Sequence, residues 1–326
     1  MIISQTPLRL SFLGGGSDLP SYYRAKGGAV LSTSIDKCVY VTVSQKFDNA
    51  LRVSYSKTEE VDDASSVEHP IVREALAKLG IRGGIEITSV ADIPAKGTGL
   101  GSSSSFTVGL LNALHAFNGR HASAEQLASE SCNIEIERCG EPIGKQDQYA
   151  AAYGGLNFIR FKRDDSVDVQ KIFCRSETLE TLQSMLLVFY TGITRSASGV
   201  LAQQSANLAS EADKIATMDR MVASAEAILA DLQSDRIDTI GEALHESWCL
   251  KKSLAAGISN STIDSAYEAA MAAGAQGGKI LGAGGGGFLL FVVPLEKQAA
   301  VRAALSGLRE TPFRFSKSGS RIIFVH

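Results

Sequence analysis

Three groups of residues in this 326-residue chain have the types and spacing to do chemistry. The first is Gly97-Thr-Gly-Leu-Gly-Ser-Ser-Ser-Ser105, preceded by Pro94-Ala-Lys96 and followed at once by an apolar run. Glycine at 97, 99 and 101 permits positive φ and lets a phosphate reach the backbone without meeting a Cβ. A helix starting at the serines offers free N–H groups and the positive end of its dipole. The hydroxyls of Ser102, Ser103, Ser104 and Ser105 add donors, and one of them can also bind magnesium. The sequence contains no G-x-x-x-x-G-K-[ST], so this is not a Walker A loop. The same string also fits a flexible turn that caps a helix, although a cap needs one serine rather than four.

The second group is acidic. On an expected helix over 124–139, with about 100° per residue, Glu135 falls about 80° from Leu127, inside an arc of small and apolar residues. Glu137 falls near ~280°, on the outer side with Glu130. An inward carboxylate is costly unless it is paired or binds a metal, so Glu135 is the expected magnesium ligand, or else one half of a structural salt bridge. Asp147 sits in the glycine-bounded loop Gly140-Glu-Pro-Ile-Gly-Lys-Gln-Asp-Gln-Tyr149. Lys145, two positions earlier, should favour the ionised form that a general base needs. Simple N-capping of a short helix over 148–153 explains Asp147 equally well at this level.

The third group is Gly14-Gly-Gly-Ser-Asp18, just after a strand that carries Arg9. An exposed Asp18 in a glycine-rich turn suits hydrogen bonding to sugar hydroxyls, with an Asx-type turn as the alternative. Gly282-Ala-Gly284-Gly-Gly-Gly287 matches the dinucleotide fingerprint G-x-G-x-x-G, but that fingerprint requires a helix directly after it. Here Phe288-Leu-Leu-Phe-Val-Val293 reads as a strand. The cluster is therefore a turn pressed against a ligand or another backbone. His69, His115, His121, His245 and His326 show no metal spacing.

The elements that must hold these groups follow from periodicity. Alternation marks strands over 8–12, 38–43, 51–55, 85–88 and 156–161. Helical spacing marks 69–79, stopped by Gly80, and 106–117, with a third helix ending at Gly140. After a strand over 185–190, the segment 200–255 is alanine-rich and free of proline, which predicts long helices. A helix over 261–273, strands over 279–281 and 288–293, a helix over 295–308 and a strand over 321–325 complete the chain. Strands and helices do not alternate strictly, so the class is α+β, with units 1–185 and 186–326.

Composition narrows the setting. An apolar fraction of 44%, 21% charged residues and a net charge of -3 describe a globular chain without the basic stripe of a nucleic-acid binder. Cys38, Cys132, Cys139, Cys174 and Cys249 contain no C-x-x-C pair and fit reduced thiols. The first residues lack a basic start and an apolar signal core, and no run approaches the roughly 20 residues of a membrane span. These features lead us to expect a soluble cytoplasmic protein, with no membrane or nucleic-acid partner and with a homodimer left open.

Three separated motifs together resemble the GHMP kinases, the superfamily of galactokinase, homoserine kinase and mevalonate kinase. They are Pro7-Leu-Arg-Leu-Ser-Phe-Leu-Gly-Gly-Gly-Ser-Asp18, Pro94 through Ser105, and Lys279-Ile-Leu-Gly-Ala-Gly-Gly-Gly-Gly287. The resemblance covers essentially the whole chain. It implies a ribosomal protein S5 domain 2-like unit, a ferredoxin-like unit with added helices, and ATP and Mg²⁺ as cofactors. It also implies phosphate binding by Lys96, Gly97, Gly99, Leu100, Gly101 and Ser102 to Ser105, and metal binding by Ser103. The family glutamate that shares the metal lies twelve residues before the catalytic aspartate in galactokinase-like members, which matches Glu135 and Asp147. Arg9 matches the first motif's basic residue, and Gly15, Gly16, Ser17, Asp18, Gly284 and Gly285 match substrate-side positions.

Leu10 to Asp18 and Gly144-Lys-Gln-Asp-Gln-Tyr149 look like the sugar 1-kinase branch. Within it the compact length is similar to the D-glycero-D-manno-heptose 7-phosphate kinases of GDP-heptose synthesis. A 7-phosphate would need its own cation, for which Arg195 is a candidate. Kinases of unphosphorylated sugars such as fucose, and non-catalytic binding regulators on the same fold, remain alternative readings. Ser104 departs from the alanine of many relatives.

Overall fold

A computed structural model describes residues 1–94, 97–194 and 197–326. In chain order it runs β1 (Ile2–Leu13), α1 (Pro20–Lys26), β2 (Gly28–Gln45), β3 (Leu51–Ser54), β4 (Thr58–Val61), α2 (Pro70–Leu79) and β5 (Ile85–Ala91). Then follow α3 (Ser102–Phe117), α4 (Ala124–Cys132), a π-helical turn (Asn133–Arg138), α5 (Gln146–Tyr153), β6 (Leu156–Phe161), β7 (Val167–Lys171) and α6 (Ser176–Met185). The remainder is β8 (Leu186–Tyr190), α7 (Ala197–Ser210), α8 (Ala212–Gln233), α9 (Ile240–Lys252), α10 (Ser261–Ala272), β9 (Gly277–Ile280), β10 (Phe288–Val292), α11 (Gln298–Ala304), β11 (Arg309–Glu310) and β12 (Arg321–Val325).

Two sheets organise these elements. The larger has the order β12-β1-β2-β5-β3-β4, with β6 also on β2 and β7 on β6. Besides β1, the long β2 serves two further partners, pairing residues 28–33 with β6 and 39–45 with β5. The smaller sheet is antiparallel throughout, in the order β11-β8-β10-β9. Helix α3 lies against β1 and β2, so close that a Cβ on Gly109 would stand 2.7 Å from Thr6 Oγ1. Ser4 Oγ donates to the Gly109 carbonyl across that contact at 2.7 Å. One apolar core fills the space around the large sheet, and a second sits around Trp248, Phe189 and Phe291 under the small one.

Local chemistry accounts for several boundaries. Helix α2 opens with Pro70 and ends at Gly80 with φ 70, the left-handed C-cap expected after a helix. Ser123 and Asn260 accept backbone N–H groups at the starts of α4 and α10. Sequence periodicity missed α1, β4, β7 and α6, and it made the helix over 295–308 too long, since a 3₁₀ turn precedes α11. It also read 124–139 as one α-helix, whereas the ladder widens to a π-turn after Cys132. Among the described residues no helix is long and apolar enough to cross a membrane.

Candidate active site

The site is built outward from Arg9, which lies on β1 and is only 3% exposed. The β1–β2 ladder shifts register between Pro7 and Arg9, and such irregularities re-aim a strand side chain. The guanidinium grips Asp147 with two hydrogen bonds, Nε to Oδ1 and Nη2 to Oδ2, both 2.8 Å. Its Nη1 donates to the Gly99 carbonyl at 2.5 Å, and the Arg9 backbone N–H donates to the Leu100 carbonyl at 3.1 Å. Four backbone and side-chain hydrogen bonds therefore bind the first motif, the glycine loop and the acid into one unit. Asp147 is the second residue of α5 and caps nothing; Lys145 occupies the cap position. The capping explanation does not hold, and neither does the pairing with Lys145. Its ammonium turns outward to Asp165, at 3.4 Å, and over the Tyr23 ring.

The glycine loop has the expected backbone. Gly97, Gly99 and Gly101 have φ of 68, 76 and 77, and Gly101 precedes the first turn of α3. Gly101 also faces the acid, since a Cβ there would lie 3.3 Å from Asp147 Oδ2. Ser102, Ser103 and Ser104 border a cavity of about 350 Å³ that also contains Arg9, Asp18, Glu135 and Asp147. Ser105 departs from expectation: its hydroxyl donates to the Pro7 carbonyl at 2.8 Å, so it anchors α3 to β1. Lys96 lies outside the described residues, as does Arg195.

Glu135 is 1% exposed, in the π-turn, while Glu137 is at the surface. The extra residue in a π-turn re-aims side chains, a geometry frequent at functional sites. Ser103 Oγ donates to Glu135 Oε1 at 3.0 Å and Gln148 Nε2 donates to Oε2 at 2.7 Å. Burial pushes the Glu135 carboxyl up to about 7, against hydrogen bonds from Gln148, Ser104 and Ser103. Adjacent oxygens of an octahedral magnesium ion with ~2.1 Å bonds stand about 3.0 Å apart. The Ser103–Glu135 pair therefore has both the donor chemistry and the spacing of two neighbouring magnesium ligands. Phosphate oxygens and water usually supply the remaining positions of such an ion.

On the opposite wall Asp18 is buried rather than exposed, and burial raises its carboxyl. Its two oxygens accept the backbone N–H groups of Gly16, at 2.9 Å, and Gln146, at 3.1 Å. Gly15 and Gly16 border the cavity beside it. Ser17 does not, because its hydroxyl exchanges two 3.0 Å hydrogen bonds with the Ala29 backbone. In the third motif Gly284 and Gly285 do not border the cavity, whereas Gly282 and Ala283 do. A Cβ on Gly284 would stand 2.5 Å from the Ile258 carbonyl, and Gly285 N–H donates to that same oxygen at 2.9 Å. Gly282 and Gly287 press on Gly99 and Thr98 of the phosphate loop. The cluster is a backbone-on-backbone seam.

Sequence reasoning missed several lining residues, among them Lys251 and Gln204. Lys251 on α9 is 4% exposed and donates to the Gly282 carbonyl. Gln204 on α7 is 1% exposed, with both amide atoms unpartnered among the described residues. Each had a signal. Leu244, Trp248 and Lys251 fall on one helical face, as do Val200, Gln204 and Leu208, so a polar residue interrupts an otherwise buried stripe.

Comparison with known proteins bears on the whole chain. Residues 67–155 match the family model for the GHMP kinases N terminal domain, and residues 228–310 match that for GHMP kinases C terminal. A Campylobacter jejuni protein named D-glycero-alpha-D-manno-heptose 7-phosphate kinase is 29% identical over 318 residues, spanning 93% of this chain and 92% of its own length. A mevalonate kinase of Thermococcus onnurineus is 28% identical, spanning 94% of this chain and 90% of its own. The crystal structure of a D-glycero-D-manno-heptose 1-phosphate kinase from Bacteroides thetaiotaomicron superposes over all of both chains, with a TM-score of 0.82 at 25% identity.

Proposed function

The chain belongs to the GHMP kinases, and from that premise we propose that it transfers the γ-phosphoryl group of ATP to the anomeric hydroxyl of D-glycero-D-manno-heptose 7-phosphate. The class, an ATP-dependent sugar kinase, rests on the family and on heptose kinase relatives. The observation that carries the mechanism is the Arg9–Asp147 grip beneath Gly101, which puts a carboxylate against the phosphate loop.

In this reading Asp18 accepts a hydrogen bond from the sugar and Asp147 takes or orients the proton of the attacking hydroxyl. The new bond joins that oxygen to the γ-phosphorus as the bond to the ADP oxygen breaks, and the proton passes to Asp147 Oδ2 or to solvent through it. Arg9 has five N–H groups; three are committed to Asp147 and Gly99, which leaves two to face the transferred charge. Ser103 and Glu135 would hold magnesium, which when bound neutralises charge on the β- and γ-phosphates. Most of the acceleration comes from positioning and electrostatics, because phosphoryl transfer asks little covalent work of the protein. A cytoplasmic location completes the proposal.

The test is ADP release from ATP with heptose 7-phosphate, L-fucose and D-galactose offered in turn. Turnover confined to the heptose phosphate supports the proposal. Preference for an unphosphorylated sugar overturns the assigned acceptor, and ADP release with none of the three points to a binding regulator.

A further inference from the structure

A buried ammonium without a carboxylate partner is costly, and such groups are normally paired. Lys251 is in that position. It lies at the inner end of α9, and among the described residues no carboxylate stands within salt-bridge distance of its Nζ. One of its three N–H groups donates to the Gly282 carbonyl, and no other hydrogen bond from the ammonium occurs among the described residues. It nonetheless borders the cavity.

The anchoring carbonyl fixes where this charge sits. Gly282 abuts the phosphate loop so closely that a Cβ on it would lie 2.4 Å from the Gly99 Cα. Gly99 is the residue whose carbonyl accepts Arg9 Nη1. Lys251 and Arg9 are thus tethered to the two sides of one seam, Lys251 through Gly282 and Arg9 through Gly99. The cavity's anionic side chains are already engaged: Asp147 by Arg9, Asp18 by two backbone N–H groups, Glu135 by Ser103 and Gln148, and Glu141 by the Ser198 hydroxyl. An external anion is what would complete the lysine's surroundings, and at this seam the anion on offer is the terminal phosphoryl of the nucleotide.

We propose that Lys251 is a second catalytic cation, donating to the non-bridging oxygens of the γ-phosphoryl group as it moves from ADP to the acceptor. The proposal deepens the kinase reading and rests on it. No extra reactant is involved: Lys251 keeps its protons and neutralises charge on the group in flight.

Nucleotide binding measured by calorimetry, with no sugar present, separates this claim from the identity of the acceptor. The wild-type chain should bind ATP more tightly than ADP. Lys251→Met should bind ADP as the wild type does and lose tenfold or more for ATP, so that the preference disappears. With the best acceptor of the sugar panel, kcat should fall about 10²–10³-fold, the usual effect of removing one charge-stabilising group. The melting temperature should hold or rise, because an unpaired buried charge has been removed. An unchanged ATP-to-ADP ratio with a raised sugar KM would overturn the proposal and assign the cation to the acceptor. A wild-type chain that binds neither nucleotide would instead overturn the kinase reading.

Discussion

At the scale of single residues the decisive contact is Arg9 on Asp147. Asparagine at 147 keeps one acceptor for the guanidinium and cannot accept a proton, so Asp147→Asn should bind ATP within about threefold of the wild type and lose roughly 10³-fold in kcat. Steady-state kinetics beside nucleotide titration decides it; near-normal turnover would remove Asp147 from the role of base. Arg9 and Asp147 were both legible from their motifs, but the link between them was not, because it spans 138 positions. The nearby Lys145 was the wrong partner, since Asp165 across the loop captures it. Lys251 gives a second prediction. Burial, then the charge of Arg9, lowers its ammonium to about 8, while Asp18 and Asp147 act in the other direction. The buried ammonium of Lys279, also depressed, lies close enough to feel it. A folded value below the ordinary one means that this group's contribution to stability is lost as pH falls through about 8 and recovered above the ordinary lysine range. Activity should run the other way, with kcat/KM falling as pH rises through about 8, and Lys251→Arg should flatten that limb. A wild-type profile level to pH 9.5 would remove the lysine's charge from the mechanism.

At the scale of elements two pieces of backbone set the chemistry, and only one was legible. The glycine loop announced itself because glycine at 97, 99 and 101 meets a local demand for positive φ. The seam that it forms with the third motif did not, because the reason for Gly282 and Gly287 lies in atoms nearly 190 residues away. Gly99→Ala should be severe on both counts, since a Cβ there would meet the Leu281 carbonyl at 2.3 Å and φ is 76. Backbone cannot yield as a side-chain tip does, so we expect a loss of about 2–4 kcal/mol in urea unfolding and a large rise in the KM for ATP. The π-turn is the other piece. Periodicity gave the right face to Glu135 by assuming one α-helix over 124–139, although the α-helix stops at Cys132 and a π-turn carries the glutamate. With its carboxyl raised to about 7, the folded state holds a proton that the unfolded chain has released. Stability from this group is complete at acid pH and is lost as pH rises from about 4.5 through about 7. Glu135→Gln should therefore stabilise the magnesium-free chain at pH 8 by on the order of 2–3 kcal/mol and do little at pH 4.5. It should also abolish the magnesium-dependent gain in ATP affinity. Denaturation at both pH values tests this, and an unchanged pH dependence in the variant would refute the assignment.

At the scale of the whole molecule the question is whether the units 1–185 and 186–326 stand alone. A change of character near 185 was readable, since strands give way to alanine-rich helices, and β8 of the second sheet starts at Leu186. What composition could not reveal is the return of the last segment. β12 pairs with β1, matching Val325 to Ile2, and Phe315 bridges Ile35. Asp36 N–H donates to the Arg314 carbonyl, and Gly154 faces Ser318 and Gly319 at distances that admit no Cβ. Helices α8 and α9 also lean on β2 and β1, and the phosphate loop rests on the third motif. Edge pairing of this kind is long-range and leaves no periodic trace beyond a short alternating strand. A fragment ending at 185 would expose the outer edge of β1 and the surface of β2 on which α8 packs. An unpaired edge next to exposed apolar surface favours association over folding. The 1–185 fragment should therefore bind a hydrophobic dye, show no sharp thermal transition and fail to bind ATP, whereas the full chain should unfold in one cooperative step. A fragment that melts sharply as a monomer with retained near-ultraviolet circular dichroism would establish 1–185 as an autonomous domain and reduce the β12 contact to a clasp.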